Sequence, residues 1–158
     1  MLLELVGAGG PGVRVTGANV VQIAVPFIWL GMVLAISFLE TPLKFRAPGV
    51  TVPLGLGIGR LVFRALAVVE LSLAGVLTAA LVLGGRTTAV IILASLLWAV
   101  LVVQVAVLLP RLDRRARFIL SGGNPPRSRL HLAYVALDGI KVVLLPVLGV
   151  VLVTGAAS

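Results

Sequence analysis

Four ionisable side chains lie inside long apolar runs of this sequence, where a charge is costly. They are Arg64 and Glu70 in one run and Asp138 and Lys141 in another. On membrane-insertion scales each costs about 2.5–3.5 kcal/mol at the centre of a spanning helix, and such residues mark proton relays, ion pathways or substrate sites. Glu70 and Asp138 would be the protonatable groups, and Lys141 their counter-ion or a contact for an anion.

Helical spacing gathers these groups on two faces. One face of the last run carries four polar side chains at i, i+3, i+7 and i+10, namely His131, Tyr134, Asp138 and Lys141. An earlier run carries a similar stripe that contains Arg60, Arg64 and Glu70. The two stripes predict one polar seam between two helices.

Matching depth predicts how the charges pair. Glu70 and Lys141 each lie about 14 Å from the start of their predicted helices, at a rise of 1.5 Å per residue, so we expect them to form a pair. We expect Arg64 to pair with Asp138 or Glu40, and Gln104 to supply an amide nearby. The seam then forms a polar cavity open to the cytoplasm, with Glu40, Arg60, His131 and Tyr134 at its mouth. Structural ion pairs that only hold the helices together are the alternative.

Composition explains why these runs are read as membrane spans. The chain is 60% hydrophobic and 11% charged, whereas about a quarter of the residues in a soluble domain are charged. Its four apolar runs, at residues 20–39, 61–83, 89–109 and 132–154, each approach the roughly 20 residues that cross a bilayer. None shows strand alternation. The sequence therefore predicts an all-α integral membrane four-helix bundle over residues 20–158, preceded by a short extracytoplasmic arm, residues 1–19.

Proline and glycine mark the predicted ends of the spans. Pro42 and Pro110 cannot donate an interior helical hydrogen bond, so we expect the first and third spans to end there. Gly84 and Gly85 close the second span and make the third its antiparallel neighbour. The glycines of residues 55–59 predict a flexible re-entry before the second span, and residues 122–126 a turn before the fourth.

Cations set the predicted orientation. Nine lie in the first and third connections, against Arg14 and Arg86 on the other side, and cytoplasmic loops carry the excess of Lys and Arg. The basic loops are therefore expected in the cytoplasm and both termini outside, in a bacterial-type inner (plasma) membrane. Arginines of the third connection are expected to contact anionic lipid phosphates rather than nucleic acid; they are Arg111, Arg114, Arg115, Arg117, Arg127 and Arg129.

Residue types that are rare here exclude several classes of site. The chain has no Cys and one His, His131, so thiolate chemistry, a bis-histidine haem and a copper site are not expected. The glycines before Arg60 do not follow a strand, as a dinucleotide site requires. We expect no metal and no cofactor. Trp29 and Trp98 lie within spans and are expected to pack in the core or against lipid.

Short motifs resemble a known membrane family. They are Phe27-Ile-Trp-Leu-Gly31, Glu40-Thr-Pro42-Leu-Lys-Phe45, Gly59-Arg60-Leu-Val-Phe63-Arg64, Leu109-Pro110-Arg111-Leu, and His131. This pattern is similar to four-helix membrane proteins of unknown function that include the transmembrane protein linked to cisplatin resistance. These proteins are in turn distantly similar to the membrane domain of copper-resistance D proteins. The resemblance implies a four-helix domain and no established reaction.

Three functions remain open from the sequence. The first is a small transporter or permease-like carrier of a solute or ion, acting as a homo-oligomer. The second is a non-catalytic accessory or assembly subunit of a larger membrane complex. The third is a lipid-active enzyme that uses Glu70 or Asp138 as a general acid.

Overall fold

The computed structural model describes residues 17–85, 87–123 and 129–157, and every regular element in these ranges is helical. Four helices are long and apolar enough to cross a membrane, which confirms the predicted all-helical fold with four helices of spanning length. They are α1 (Gly17–Lys44), α2 (Val52–Gly84), α3 (Thr88–Leu120) and α4 (Leu130–Ala157). Nearly all of the predicted N-terminal arm lies outside the described residues, as do Arg14, Arg86 and Arg127.

Neither Pro42 nor Pro110 ends its helix, contrary to the prediction. A π-helical stretch, Leu34–Glu40 in α1 and Val103–Leu108 in α3, stands just before each proline. The residue before each proline bonds five residues back: the Thr41 N–H donates to Ile36 O and the Leu109 N–H to Gln104 O. Because the inserted residue shifts the local hydrogen-bond register, the chain passes the proline and continues as helix to Lys44 and to Leu120.

The predicted flexible segment before the second span is also helical. Helix α2 starts at Val52, with the Thr51 hydroxyl accepting from the Leu54 N–H at 3.4 Å and Pro53 in the first turn. Capping by Thr and an early proline both favour a helix start. The glycine at Gly55 serves packing here, because a Cβ at that position would overlap the Phe45 ring.

The helices pack in alternating directions around α1 and α4. Helix α1 contacts α2 and α4, α3 contacts α4, and the last third of α3 contacts the start of α2. Two hydrogen bonds show that α1 and α2 are antiparallel: Gln22 Nε2 donates to Ala80 O at 2.7 Å, and Trp29 Nε1 to Glu70 Oε1 at 2.8 Å. Residues 41–60, 109–123 and 129–131 therefore meet at one end of the bundle, hereafter the basic end. The opposite end, where Asn19, Gly84 and Gly155 line one small cavity, is hereafter the terminal end.

A glycine contact between α4 and α1 gives a test of this packing. A Cβ at Gly149 would lie 2.6 Å from Phe27 Cζ, whereas one at Gly139, on the same helix, meets nothing within 4 Å. We expect Gly149→Ala to lower the free energy of unfolding by about 1 kcal/mol, because the ring must move. Gly139→Ala is expected to leave it unchanged or raise it. Melting temperatures in mild detergent measure both, and equal shifts would contradict the packing of α1 on α4.

Candidate functional site

A charged cluster is buried between the four helices. Lys141 Nζ forms a hydrogen-bonded ion pair with Glu70 Oε1 and lies 2.8 Å from Asp138 Oδ1. The side chains of Glu70, Asp138 and Lys141 are 0% exposed. The structure thus contains the Glu70–Lys141 pair that the matching depths indicated, and it adds Asp138 as a second acid on the same ammonium group.

An amide and an indole complete this cluster. Gln104 Nε2 donates to Asp138 Oδ1 at 2.8 Å and to the Tyr134 carbonyl oxygen at 3.2 Å. Trp29 Nε1 donates to Glu70 Oε1 at 2.8 Å. The buried cluster is defined as Trp29, Glu70, Gln104, Asp138 and Lys141, and it takes at least one side chain from every helix. Trp29 therefore does more than the expected core or lipid packing.

The π-helical stretch in α3 carries Gln104 into the bundle. Gln104 is 0% exposed, and Ser37 in the π-helical stretch of α1 is also buried. Single π-turns within α-helices are frequent at functional sites. Each of the two stretches in this chain turns a polar side chain inward.

The charges of the buried cluster do not balance. Two carboxyl groups face one ammonium group, so the cluster would carry one net negative charge with both acids ionised. An uncompensated buried charge is strongly disfavoured, and one bound proton makes the cluster neutral. Among the described residues, Glu70 Oε2 and Asp138 Oδ2 are buried without a hydrogen-bond partner. These two oxygens are the carboxylate positions of the buried cluster that no donor contacts.

Arg64 lies outside the buried cluster, contrary to the prediction. Its side chain is 48% exposed, and Nη2 lies 2.8 Å from Asp113 Oδ2 rather than near Asp138 or Glu40. Asp113 also accepts from Arg60 and lies 3.3 Å from Arg117. Asp113 is not among the site residues predicted from the sequence, because a helix end at Pro110 predicts a basic loop for the connection that follows. Because the segment after Pro110 continues as helix, it brings Asp113 to Arg60 and Arg64 of α2.

The sequence predicts one polar seam that opens at one end of the bundle, but the structure has two separate features, a cavity and the buried cluster. A cavity of about 280 Å³ opens at the basic end, hereafter the basic cavity, and no member of the buried cluster lines it. Phe63, Leu66, Leu108 and Tyr134 form a buried apolar group next to it. The Phe63 and Tyr134 rings meet edge to face at 5.0 Å between centroids. Tyr134 and its carbonyl contact to Gln104 place this group between the cavity and the buried cluster.

The four residues predicted at the cavity mouth have different positions. Arg60 and His131 line the basic cavity. Glu40 lies 3.3 Å from Lys44, which lines it. Tyr134 is 1% exposed and belongs to the apolar group below the cavity instead.

Five of the six arginines predicted to contact lipid phosphates are described, and they lie at the basic end. Arg115 is half-buried and lines the basic cavity. Arg111 Nη1 donates to the Val107 carbonyl oxygen at 2.8 Å on the same helix. Arg127 falls outside the described residues, and the exposed members are Arg111, Arg114, Arg117 and Arg129.

The third function left open by the sequence needs a route to the buried acids. Glu70 and Asp138 are closed to solvent, and the basic cavity does not include them. A lipid in that cavity does not reach either carboxyl group in this conformation. Within residues 17–85, 87–123 and 129–157, no three His, Cys, Asp or Glu side chains are grouped to hold a metal ion.

Comparison of the chain with protein-family models, with curated proteins and with solved structures finds no match. The resemblance to the four-helix family of unknown function therefore stays a prediction from the sequence. The arguments for function rest on the geometry of the buried cluster and of the basic cavity.

Proposed function

We propose that this protein is a small membrane carrier in which the buried cluster binds the transported ion, a proton. The observation that carries the proposal is that Glu70 and Asp138 share Lys141 at 0% exposure. An ion pair that only holds helices together needs one acidic group for each basic group. Here two acids share one ammonium group, so the buried cluster is neutral only when one of the acids carries a proton.

The burial of the cluster fits a closed step of a carrier cycle. Apolar residues cover it toward the basic end, and the larger core around Leu77, Leu145 and Leu148 lies toward the terminal end. Glu70 lies about 21 Å and Lys141 about 24 Å from the terminal ends of their helices, at 1.5 Å per residue. A proton held at that depth is far from water on both sides, so its release requires the helices to move.

The proposal also includes the orientation of the protein in the membrane and its oligomeric state. The excess of cations at the basic end supports a cytoplasmic position for it and extracytoplasmic termini, in a bacterial-type plasma membrane. Anionic lipid headgroups then surround the exposed arginines of α3. Four helices enclose little volume, which supports a homo-oligomer as the working form.

Proton flux into vesicles tests the carrier proposal. Purified protein is reconstituted with a pH-sensitive dye inside, and a potassium diffusion potential, negative inside, drives protons inward. The wild type is expected to acidify the lumen faster than protein-free vesicles. Glu70→Gln and Asp138→Asn should reduce the rate to the protein-free level, because the remaining acid and Lys141 then balance without a proton.

Glu40→Gln is the matched control for these variants. Glu40 lies at the basic end and pairs with Lys44, away from the buried cluster, so its replacement should leave the flux unchanged. Each variant is first shown to be monodisperse and to have a cooperative melting transition. A wild type that behaves like protein-free vesicles, or a folded Glu70→Gln with full flux, overturns the proposal.

An accessory subunit of a larger membrane complex is the second candidate. It is favoured by one observation, that the buried cluster links side chains from all four helices, as a purely structural ion-pair network would. The same experiment separates the two functions. An accessory subunit is expected to show no flux above protein-free vesicles, while Glu70→Gln and Asp138→Asn still lower its melting temperature.

A further inference from the structure

The basic cavity combines a positively charged rim with an apolar wall. Three cationic side chains line it, Lys44, Arg60 and Arg115, against one acid, Asp113. Most of the remaining wall is hydrophobic, with its larger members being Phe45, Leu56, Phe63, Leu109, Leu112 and Ile119. Its volume of about 280 Å³ is near the lower end of the range for small-molecule sites, about 300–1,000 Å³.

The one acid in the wall is already neutralised by arginines. Asp113 Oδ1 accepts from Arg60, and Oδ2 lies 2.8 Å from Arg64 and 3.3 Å from Arg117. Three guanidinium groups therefore surround one carboxylate and leave a positive surplus. Asp113 orients these arginines and does not cancel their charge.

Two of the lining cations differ in how they are held. Lys44 Nζ pairs with Glu40 and stands 5.7 Å and 5.6 Å from the centroids of the Phe45 and Phe63 rings. Arg115 is half-buried at the cavity, and within the described part of the chain no carboxylate lies at ion-pair distance from it. A half-buried guanidinium group that faces no acid favours an incoming anion, especially a carboxylate or phosphate, which it can hold with two hydrogen bonds.

We propose that the basic cavity is a binding site for an organic anion that carries an apolar body. Arg115 holds the carboxylate or phosphate group, and the apolar wall covers the attached hydrocarbon. A cation is repelled by the rim, and a small hydrated anion without an apolar body gains nothing from the wall. The inference stands apart from proton carriage, because it concerns equilibrium binding at a site that shares no residue with the buried cluster.

Four probes of matched size or charge test the binding chemistry. Titration calorimetry is done on the full chain in nanodiscs of phosphatidylcholine, with octanoate, octylammonium, octanol and acetate. Octanoate is expected to bind at least tenfold more tightly than each of the other three. Equal affinities for octanoate and octanol would show that the rim charge plays no part and would overturn the proposal.

Variants then locate the site. Arg115→Gln is expected to weaken octanoate binding at least tenfold, whereas Arg111→Gln, which changes an exposed arginine on the same helix that is not part of the cavity wall, should leave it unchanged. Ile119→Trp fills the apolar wall and keeps every cation, and it should also abolish binding. If Arg115→Gln does not fold, the Ile119 variant alone decides, and unchanged octanoate affinity in either folded variant overturns the proposal.

The anion can come from water or from the bilayer, and a competition arm separates these sources. Nanodiscs that contain phosphatidic acid are compared with phosphatidylcholine alone. A loss of octanoate affinity in the phosphatidic acid nanodiscs, together with a rise in melting temperature there that Ile119→Trp lacks, identifies the lipid headgroup as the occupant. Unchanged octanoate affinity identifies a water-soluble anion, and absence of octanoate binding from both kinds of nanodisc, with no lipid effect on melting temperature, contradicts the proposal.

Discussion

Replacing Lys141 with methionine is expected to lower the free energy of unfolding by about 3–5 kcal/mol, because removal of one partner leaves a buried charge uncompensated. Lys141 is the ammonium group within ion-pair distance of both Glu70 and Asp138. Methionine keeps much of the side-chain length and packs well in irregular gaps. The loss is therefore one of charge and hydrogen bonding more than of volume, and it should appear as a large drop in melting temperature in mild detergent.

Lys44→Met is the matched control, since it makes the same change at the basic end. The Lys44 side chain is 9% exposed and pairs with that of Glu40, which is 32% exposed, one helical turn away. Without Lys44 the Glu40 carboxylate stays in contact with water, so the loss is expected to stay below about 1 kcal/mol. A third variant joins Lys141→Met with Glu70→Gln and Asp138→Asn, and it should regain part of the lost stability because no charge stays buried. A melting temperature of Lys141→Met equal to that of Lys44→Met would refute the ion-pair description of the buried cluster.

The sequence predicted the helices and one ion pair because both depend on local properties. Apolar runs of spanning length give the four helices. Rise per residue, counted from the predicted span starts at 61 and 132, gives the matching depths of Glu70 and Lys141, although α2 begins nine residues earlier, at Val52. The position of Trp29 beside Glu70 depends on how α1 is rotated about its axis, which apolar composition around the whole helix leaves open. The sequence does hold one chemical signal for this contact: the N–H of a buried indole usually has a hydrogen-bond acceptor, so a tryptophan within a span predicts a polar partner.

The wrong prediction of where the third span ends explains the wrong prediction of the partner of Arg64. A third span that ends at Pro110 would put Asp113 in a loop and leave Arg64 to pair with one of the other acids. The π-helical stretch Val103–Leu108 instead carries the helix past the proline. An insertion of one residue in the hydrogen-bond ladder has no strong compositional signature, so only the three-dimensional structure reveals it. The same stretch positions Gln104, which ties the third helix to Asp138.

Asp113→Asn is expected to destabilise the basic end by about 2 kcal/mol, because hydrogen bonds to charged groups contribute about 1.5–3 kcal/mol each and water replaces part of them here. The Asp113 side chain is 8% exposed, while those of Arg60, Arg64 and Arg117 are 25%, 48% and 55% exposed. Asparagine keeps the shape, removes the charge and places two donors among three guanidinium groups. The arginines then repel one another, and the last third of α3 should separate from the start of α2.

Glu40→Gln is the control for this change, since Glu40 is the other described acid at the basic end and serves one cation, Lys44. Its replacement should cost less than that of Asp113, because one ion pair is lost instead of three. Hydrogen exchange read out on peptides of the basic end distinguishes local from global effects. Faster exchange in residues 109–120 of Asp113→Asn, with unchanged exchange around Glu70 and Asp138, is the expected result. Equal exchange in Asp113→Asn and Glu40→Gln would mean that Asp113 does not hold the two helices together, because the loss of three arginine contacts at one carboxylate must then be no larger than the loss of one lysine contact.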